Sequence, residues 1–156
     1  MCLRKACLFS VLLPLAVGGL AAWLTMGSME QFAALKQPPL SPPGWLFPVV
    51  WTVLYLLMGT ASWLVRKSDA PQAAKKRALT LYGVQLAVNF FWPLLFFRAG
   101  AYGTAFLWLL LLLALVLVTA AMFARICRTA AILLAPYVLW LIFAGYLNIG
   151  IWLLNG

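Results

Sequence analysis

Residues 38–55 read PPLSPPGWLFPVVWTVLY, a proline-rich approach that runs without a break into an apolar, aromatic-loaded segment. Pro38, Pro39, Pro42 and Pro43 each fix φ and remove a backbone donor, so the chain before Trp45 is a stiff, extended lead-in and not a flexible linker. Ser41 is suited to cap a helix and Pro42 to occupy its first position, which predicts a helix start at about Ser41 to Gly44. From there Phe47, Trp51 and Tyr55 recur every fourth residue and make one aromatic stripe along the helix.

The rest of the chain has the same apolar character. Its 156 residues are 67% hydrophobic, with a mean hydropathy of +1.06, more apolar surface than a water-soluble core could hide. Charges punctuate it into uncharged runs, Ala6–Met29, Gln37–Val65, Ala78–Phe97, Ala99–Ala124 and Thr129–Gly156. Each reaches the roughly 20 residues that a helix needs to cross about 30 Å of hydrocarbon. The expected fold is an all-α membrane protein, a five-transmembrane-helix bundle forming a single domain over residues 1–156. Its helices are expected at 6–26, 45–65, 78–98, 102–124 and 130–153, with the loop 27–44 as a lid.

Charge distribution sets the expected topology. Arg4, Lys5, Arg66, Lys67, Lys75, Lys76, Arg77, Arg125 and Arg128 fall on one side, against Lys36 and Arg98 on the other. The positive-inside rule then puts the N-terminus in the cytoplasm and favours a bacterial inner membrane. Arg4 and Lys5 before an apolar run also fit a secretory signal, but the run is long and lacks a clear small-x-small cleavage site, so it is read as a span. The net charge of +9 is a topology signal with attraction to anionic lipid as its consequence. It does not suggest nucleic acid, because the basic residues sit in short juxtamembrane loops. Cys2, Cys7 and Cys127 have neither metal-ligand nor disulfide-framework spacing.

Several chemistries are excluded by what is missing. Histidine is absent, and the two carboxylates, Glu30 and Asp69, lie in expected loops. That leaves no intramembrane proton carrier for an exporter, no Ser–His pair, no metal site and no phosphate-binding glycine pattern. Aromatic and neutral-polar residues remain. Trp23, Trp45, Trp63 and Trp152 lie near span ends as interfacial anchors, whereas Trp51, Trp92, Trp108 and Trp140 lie away from them.

Helical phase groups these residues. In the third span Gln85, Asn89, Trp92 and Phe96 share one face, while Gly83 and Ala87 on the opposite face make a small-xxx-small pair suited to a dimer contact. In the fifth, Tyr137, Trp140, Ala144, Leu147, Asn148 and Ile151 fall within an arc of about 100°. Together with Phe47, Trp51 and Tyr55 these faces either form the packed core of a bundle or line an apolar pocket roofed by the loop around Lys36 to Gly44.

The pieces Pro48-Val-Val-Trp51-Thr-Val-Leu-Tyr55, Gln85-Leu-Ala-Val-Asn89-Phe-Phe-Trp92-Pro93 and Pro136-Tyr137-Val-Leu-Trp140 with Leu147-Asn148, in this order, resemble the TspO/MBR family of tryptophan-rich sensory and translocator proteins. The resemblance covers nearly the whole chain. It implies a five-helix bundle, commonly a homodimer, whose loop-closed pocket binds porphyrins such as protoporphyrin IX without any required cofactor. Some members also bind sterols and isoquinoline or benzodiazepine drugs. In certain bacterial members light-dependent porphyrin degradation is attributed to two tryptophans, whose counterparts are Trp51 and Trp140. Bacterial members have also been placed in the outer membrane.

Two departures stand out. The family loop usually reads Lys-Pro-x-Trp-x-Pro-Pro, where this chain has Gln37 for the lysine and Leu40 for the tryptophan, leaving Lys36 and Arg98 as outer-side cations for porphyrin propionates. No basic residue follows Arg128, so the sterol-recognition pattern of mammalian members is not met. The expected function is a tetrapyrrole-binding membrane protein for porphyrin handling or stress and oxygen sensing. Alternatives are a light-dependent porphyrin-degrading catalyst and a transporter of porphyrin or another lipophile.

Overall fold

The computed structural model describes residues 2–156, with side chains from Arg4 onward, so the side chain of Cys2 lies outside the described residues. The chain runs through α1 (Cys2–Thr25), a 3-10 turn (Met26–Ser28), the short α2 (Met29–Ala33), α3 (Leu46–Lys67), α4 (Gln72–Pro93), a π-helical turn (Leu94–Arg98), α5 (Tyr102–Ile126) and α6 (Arg128–Asn155). Among the described residues five helical stretches are long and apolar enough to cross a membrane, and there is no strand. This is the expected five-helix bundle. Lipid explains its exterior, where Leu12, Leu107, Leu139 and Ile142 are all more than half exposed. Trp23, Trp45 and Trp152 are likewise exposed near the helix ends, as interfacial anchors should be.

Helix limits depart from the sequence reading where the chain leaves the apolar zone. The third helix starts at Gln72, ahead of the expected 78, because Lys75, Lys76 and Arg77 are good helix formers and a helix need not stop where hydrocarbon stops. Pro71 precedes it, where a missing N–H costs nothing. The second span corrects a cap. Ser41 does not cap it, since its hydroxyl donates to the Pro38 carbonyl at 2.7 Å, and the helix begins at Leu46 with Trp45 as the flanking residue. Residues 38–41 close a tight turn in which Leu40 takes a left-handed φ of 69°.

Helix packing is dense along α5–α6, α1–α3, α4–α5 and α3–α6. The backbones of α1 and α3 approach closely at Gly59, where an added Cβ would lie 2.6 Å from the Val11 Cα and 2.7 Å from the Ser10 carbonyl oxygen. With no water to expel between helices in lipid, such backbone proximity is a main source of their attraction.

Past Pro93 the hydrogen-bond register widens, with the Ala99 N–H donating to the Leu94 carbonyl at 2.8 Å. A π-helical turn rotates the residues after it relative to a regular helix. Here it turns adjacent Phe96 and Phe97 toward the same interior space.

Gly59→Val should lower stability by about 1–3 kcal/mol through backbone overlap with α1. Gly19→Val, where an added Cβ meets nothing within 4 Å, should not. Unfolding midpoints of the two variants in mild detergent check this.

Candidate functional site

Beneath the segment 26–45 the inner faces of α3, α4 and α6 meet in a cluster of aromatic rings. Trp51 stacks on Tyr55 (centroids 5.6 Å apart, planes at 28°) and meets Trp140 edge to face at 6.4 Å. Trp92 stacks on Phe96 at 5.1 Å, and Phe47 lies edge-on to Trp140 at 5.9 Å. Ala144 leaves room beside these rings on α6. Of the sequence-predicted residues, Phe47, Trp51, Trp92, Phe96, Trp140, Ala144, Leu147 and Asn148 do line one pocket, together with Ile151 from the same α6 face.

Tyr55, Asn89 and Tyr137 lie beneath it and form its floor. The Tyr55 hydroxyl donates to Asn89 Oδ1 at 2.8 Å, Asn89 Nδ2 donates to the Tyr137 hydroxyl at 2.6 Å, and that hydroxyl donates to Gln85 Oε1 at 2.9 Å. The four residues are buried, and the ladder ties α3, α4 and α6 together where each would otherwise leave a polar group in hydrocarbon. At the opposite end of the pocket Trp92 Nε1 donates to Asn148 Oδ1 at 3.1 Å while Asn148 Nδ2 donates to the Tyr102 carbonyl at 2.8 Å. Trp108 is structural, its indole N–H donating to the Val88 carbonyl at 2.7 Å. Trp140 differs from both, for its buried Nε1 has no hydrogen-bond partner among the described residues.

The roof comes from residues that sequence patterns did not single out. Phe32 of α2 packs on Phe47, Phe96 and Phe97 at centroid distances of 5.9, 5.8 and 5.0 Å. Its signal was a lone aromatic in the short run Met29–Ala33, masked by the polar neighbours Glu30 and Gln31. Phe97 was missed because regular α-helical phase puts it off the face of Phe96. With these rings in place the free volume is about 10 Å³, barely one water-sized sphere.

The predicted lid contacts do not reach this closed pocket. Leu40 is 84% exposed at the tip of its turn, and the left-handed backbone there turns it outward. Lys36 and Arg98 are exposed and outside the lining. The lid is instead strapped to α6 by its main chain. Lys36 N–H donates to Asn155 Oδ1 at 3.0 Å, Asn155 Nδ2 returns a bond to the Lys36 carbonyl at 2.9 Å, and the Tyr146 hydroxyl donates to the Pro39 carbonyl at 2.6 Å. Pro38 sits on Gly150, where an added Cβ would come within 2.8 Å of its ring. Gly83 and Ala87 are exposed, away from the pocket. No group of three His, Cys, Asp or Glu residues that could hold a metal ion occurs among the described residues.

A family model described as the TspO/MBR family matches residues 10–153. The chain belongs to the TspO/MBR family. It is 38% identical over 143 residues to the translocator protein of Bos taurus, covering 90% of this chain and 85% of that one. The tryptophan-rich protein TspO of Chlorobaculum tepidum is 36% identical over 129 residues, covering 80% and 78%. A translocator protein homolog of Schizosaccharomyces pombe is 42% identical over 122 residues, covering 77% and 74%. As a TspO/MBR member with five membrane-crossing helices the chain is an integral membrane protein.

In this TspO/MBR bundle the floor ladder makes an asymmetric prediction. Asn89→Leu removes two hydrogen bonds, leaving the buried Tyr55 hydroxyl without a partner and Tyr137 with only its bond to Gln85, and should cost on the order of 2 kcal/mol or more, whereas Tyr55→Phe removes one bond and should cost about 1 kcal/mol. Reversible unfolding in detergent distinguishes the two.

Proposed function

We propose that this protein binds a flat apolar tetrapyrrole of the protoporphyrin class between α3 and α6, for porphyrin handling or stress-linked sensing. The observation that carries the reading is the box of Trp51, Trp140, Trp92 and Phe47, four large π faces from three helices around a space that no charged side chain enters. Such a box recognises a planar macrocycle by stacking and dispersion. The closed pocket holds about 10 Å³, and small-molecule sites run roughly 300–1,000 Å³, so ligand binding requires opening. Lys36 and Arg98, exposed at the lid end, are the cations for propionates at the mouth.

A second reading, light-dependent porphyrin degradation, draws on Trp51 and Trp140, whose rings meet at 6.4 Å inside the box. An indole beside an excited porphyrin or singlet oxygen is oxidisable. The family names "translocator" and "tryptophan-rich" belong to the relatives; transport of a lipophile here would run without ion coupling, since both carboxylates lie outside the apolar stretches of the spans. The cytoplasmic placement of the N-terminus in a bacterial inner membrane rests on nine of the eleven basic residues lying at the end shared by the start of α1, the α3–α4 turn and the α5–α6 turn. The exposed Gly83–Ala87 strip supports a homodimer through α4.

Dark titration with protoporphyrin IX should give saturable tryptophan quenching at about micromolar ligand. Illumination of the same sample should then bleach the Soret band faster than in protein-free detergent. Trp51→Phe and Trp140→Phe should fold and slow that bleaching; unchanged rates in both would remove the catalytic site. Gly83→Leu should shift the protein toward monomer in mild detergent, and a retained dimer would put the interface elsewhere.

A further inference from the structure

The closed pocket has two removable walls, and they are held very differently. The lid wall carries three hydrogen bonds to α6, through Asn155 and Tyr146, and the tight seating of Pro38 on Gly150. The lateral wall is one side chain, Trp140. On its far side lies a groove of about 440 Å³ between α3 and α6, lined by Val49, Val53, Pro136, Leu139 and Trp140 itself among other apolar side chains. Val49, Val53 and Leu139 are 52%, 50% and 68% exposed, so the groove opens on the lipid-facing surface.

We infer that the ligand enters sideways from the bilayer through this α3–α6 groove, with Trp140 as the gate, while the lid stays strapped. The inference rests on the pocket reading above. Trp140 is the least tethered indole of the box: Trp92 holds a hydrogen bond and Trp51 stacks on Tyr55, whereas the buried Nε1 of Trp140 has no partner among the described residues and its ring meets Phe47, Trp51 and Phe143 only edge-on or tilted. Pro136, one turn earlier in α6, cannot donate to the carbonyl four residues back, which loosens the helix beside the gate. Swinging the indole aside joins the 440 Å³ groove to the aromatic box, and the merged space falls within the size range of small-molecule sites without moving Phe32. It also frees the buried indole N–H to reach an acceptor on the ligand. The apolar lining selects a bilayer-dissolved lipophile, which reaches the groove by diffusion in the membrane.

The test locks one wall and fills the other. Pro38→Cys with Gly150→Cys places two Cβ atoms close enough for a disulfide after a small outward shift, at two residues that are not part of the pocket lining. Cys2, Cys7 and Cys127 are first replaced by serine. Stopped-flow tryptophan quenching by protoporphyrin IX is then followed in phosphatidylcholine liposomes, oxidised against reduced. The association rate should be the same within about two-fold with the lid locked, and about ten-fold slower in Val53→Trp, whose exposed side chain fills the groove. Val49→Trp serves as a second filler if the first fails to fold. Loss of association on oxidation, or no slowing in a folded groove variant, overturns the lateral route. Absence of quenching in the reduced, unfilled protein would instead overturn the pocket reading itself.

Discussion

In hydrocarbon a polar side chain has to find its partner within the protein, and the ladder Tyr55–Asn89–Tyr137–Gln85 is where this chain meets that demand. Three helices contribute, and none can rotate or slide without breaking a bond for which no water stands ready to substitute. The ladder therefore fixes the relative phase of α3, α4 and α6. Above it, Trp51 rests on the Tyr55 ring, Trp92 is pinned through Asn148 to the start of α5, and the box of rings follows from those placements. Below it, close backbone approach at Gly59 brings α1 in as a buttress.

The same constraint limits the chemistry. A site built of indoles, phenyl rings, tyrosines and amides offers stacking, dispersion and redox-capable aromatic rings, but no group able to act as an acid or base near neutral pH. Specificity must come from shape and from the few donors left over. One wall tied by main-chain hydrogen bonds and another held by ring contacts alone divide the pocket into a rigid part and a yielding part, and the yielding part faces lipid.

Much of this architecture was legible because lipid imposes a simple code. Charge-bounded apolar runs located all five spans, and the 3.6-residue period placed Gln85, Asn89 and Trp92 on one inward face, where they lie. Three kinds of detail escaped. Helix ends outside the apolar zone obey local propensity, so the third helix began at Gln72, and Ser41 spent its hydroxyl on Pro38 instead of a cap. Long-range packing decided which lid residue turned inward, favouring Phe32 over Lys36 and Leu40. Phase arithmetic separated pocket from floor poorly, since Tyr55 and Trp51 share a face and differ only in depth.

The π-helical turn at Leu94–Arg98 carries a consequence of its own. It is a slip in count, a widened last turn before the chain leaves the helix at Ala99, and the two neighbouring phenyl rings that close the roof both lie within it. Among diverging sequences the identity of either ring can drift with modest effect, because any bulky apolar group fills the same space. The length of the segment cannot: a single deletion would restore the ordinary helical count and swing one ring out toward the lipids. This stretch of the wall depends on spacing more than on chemistry.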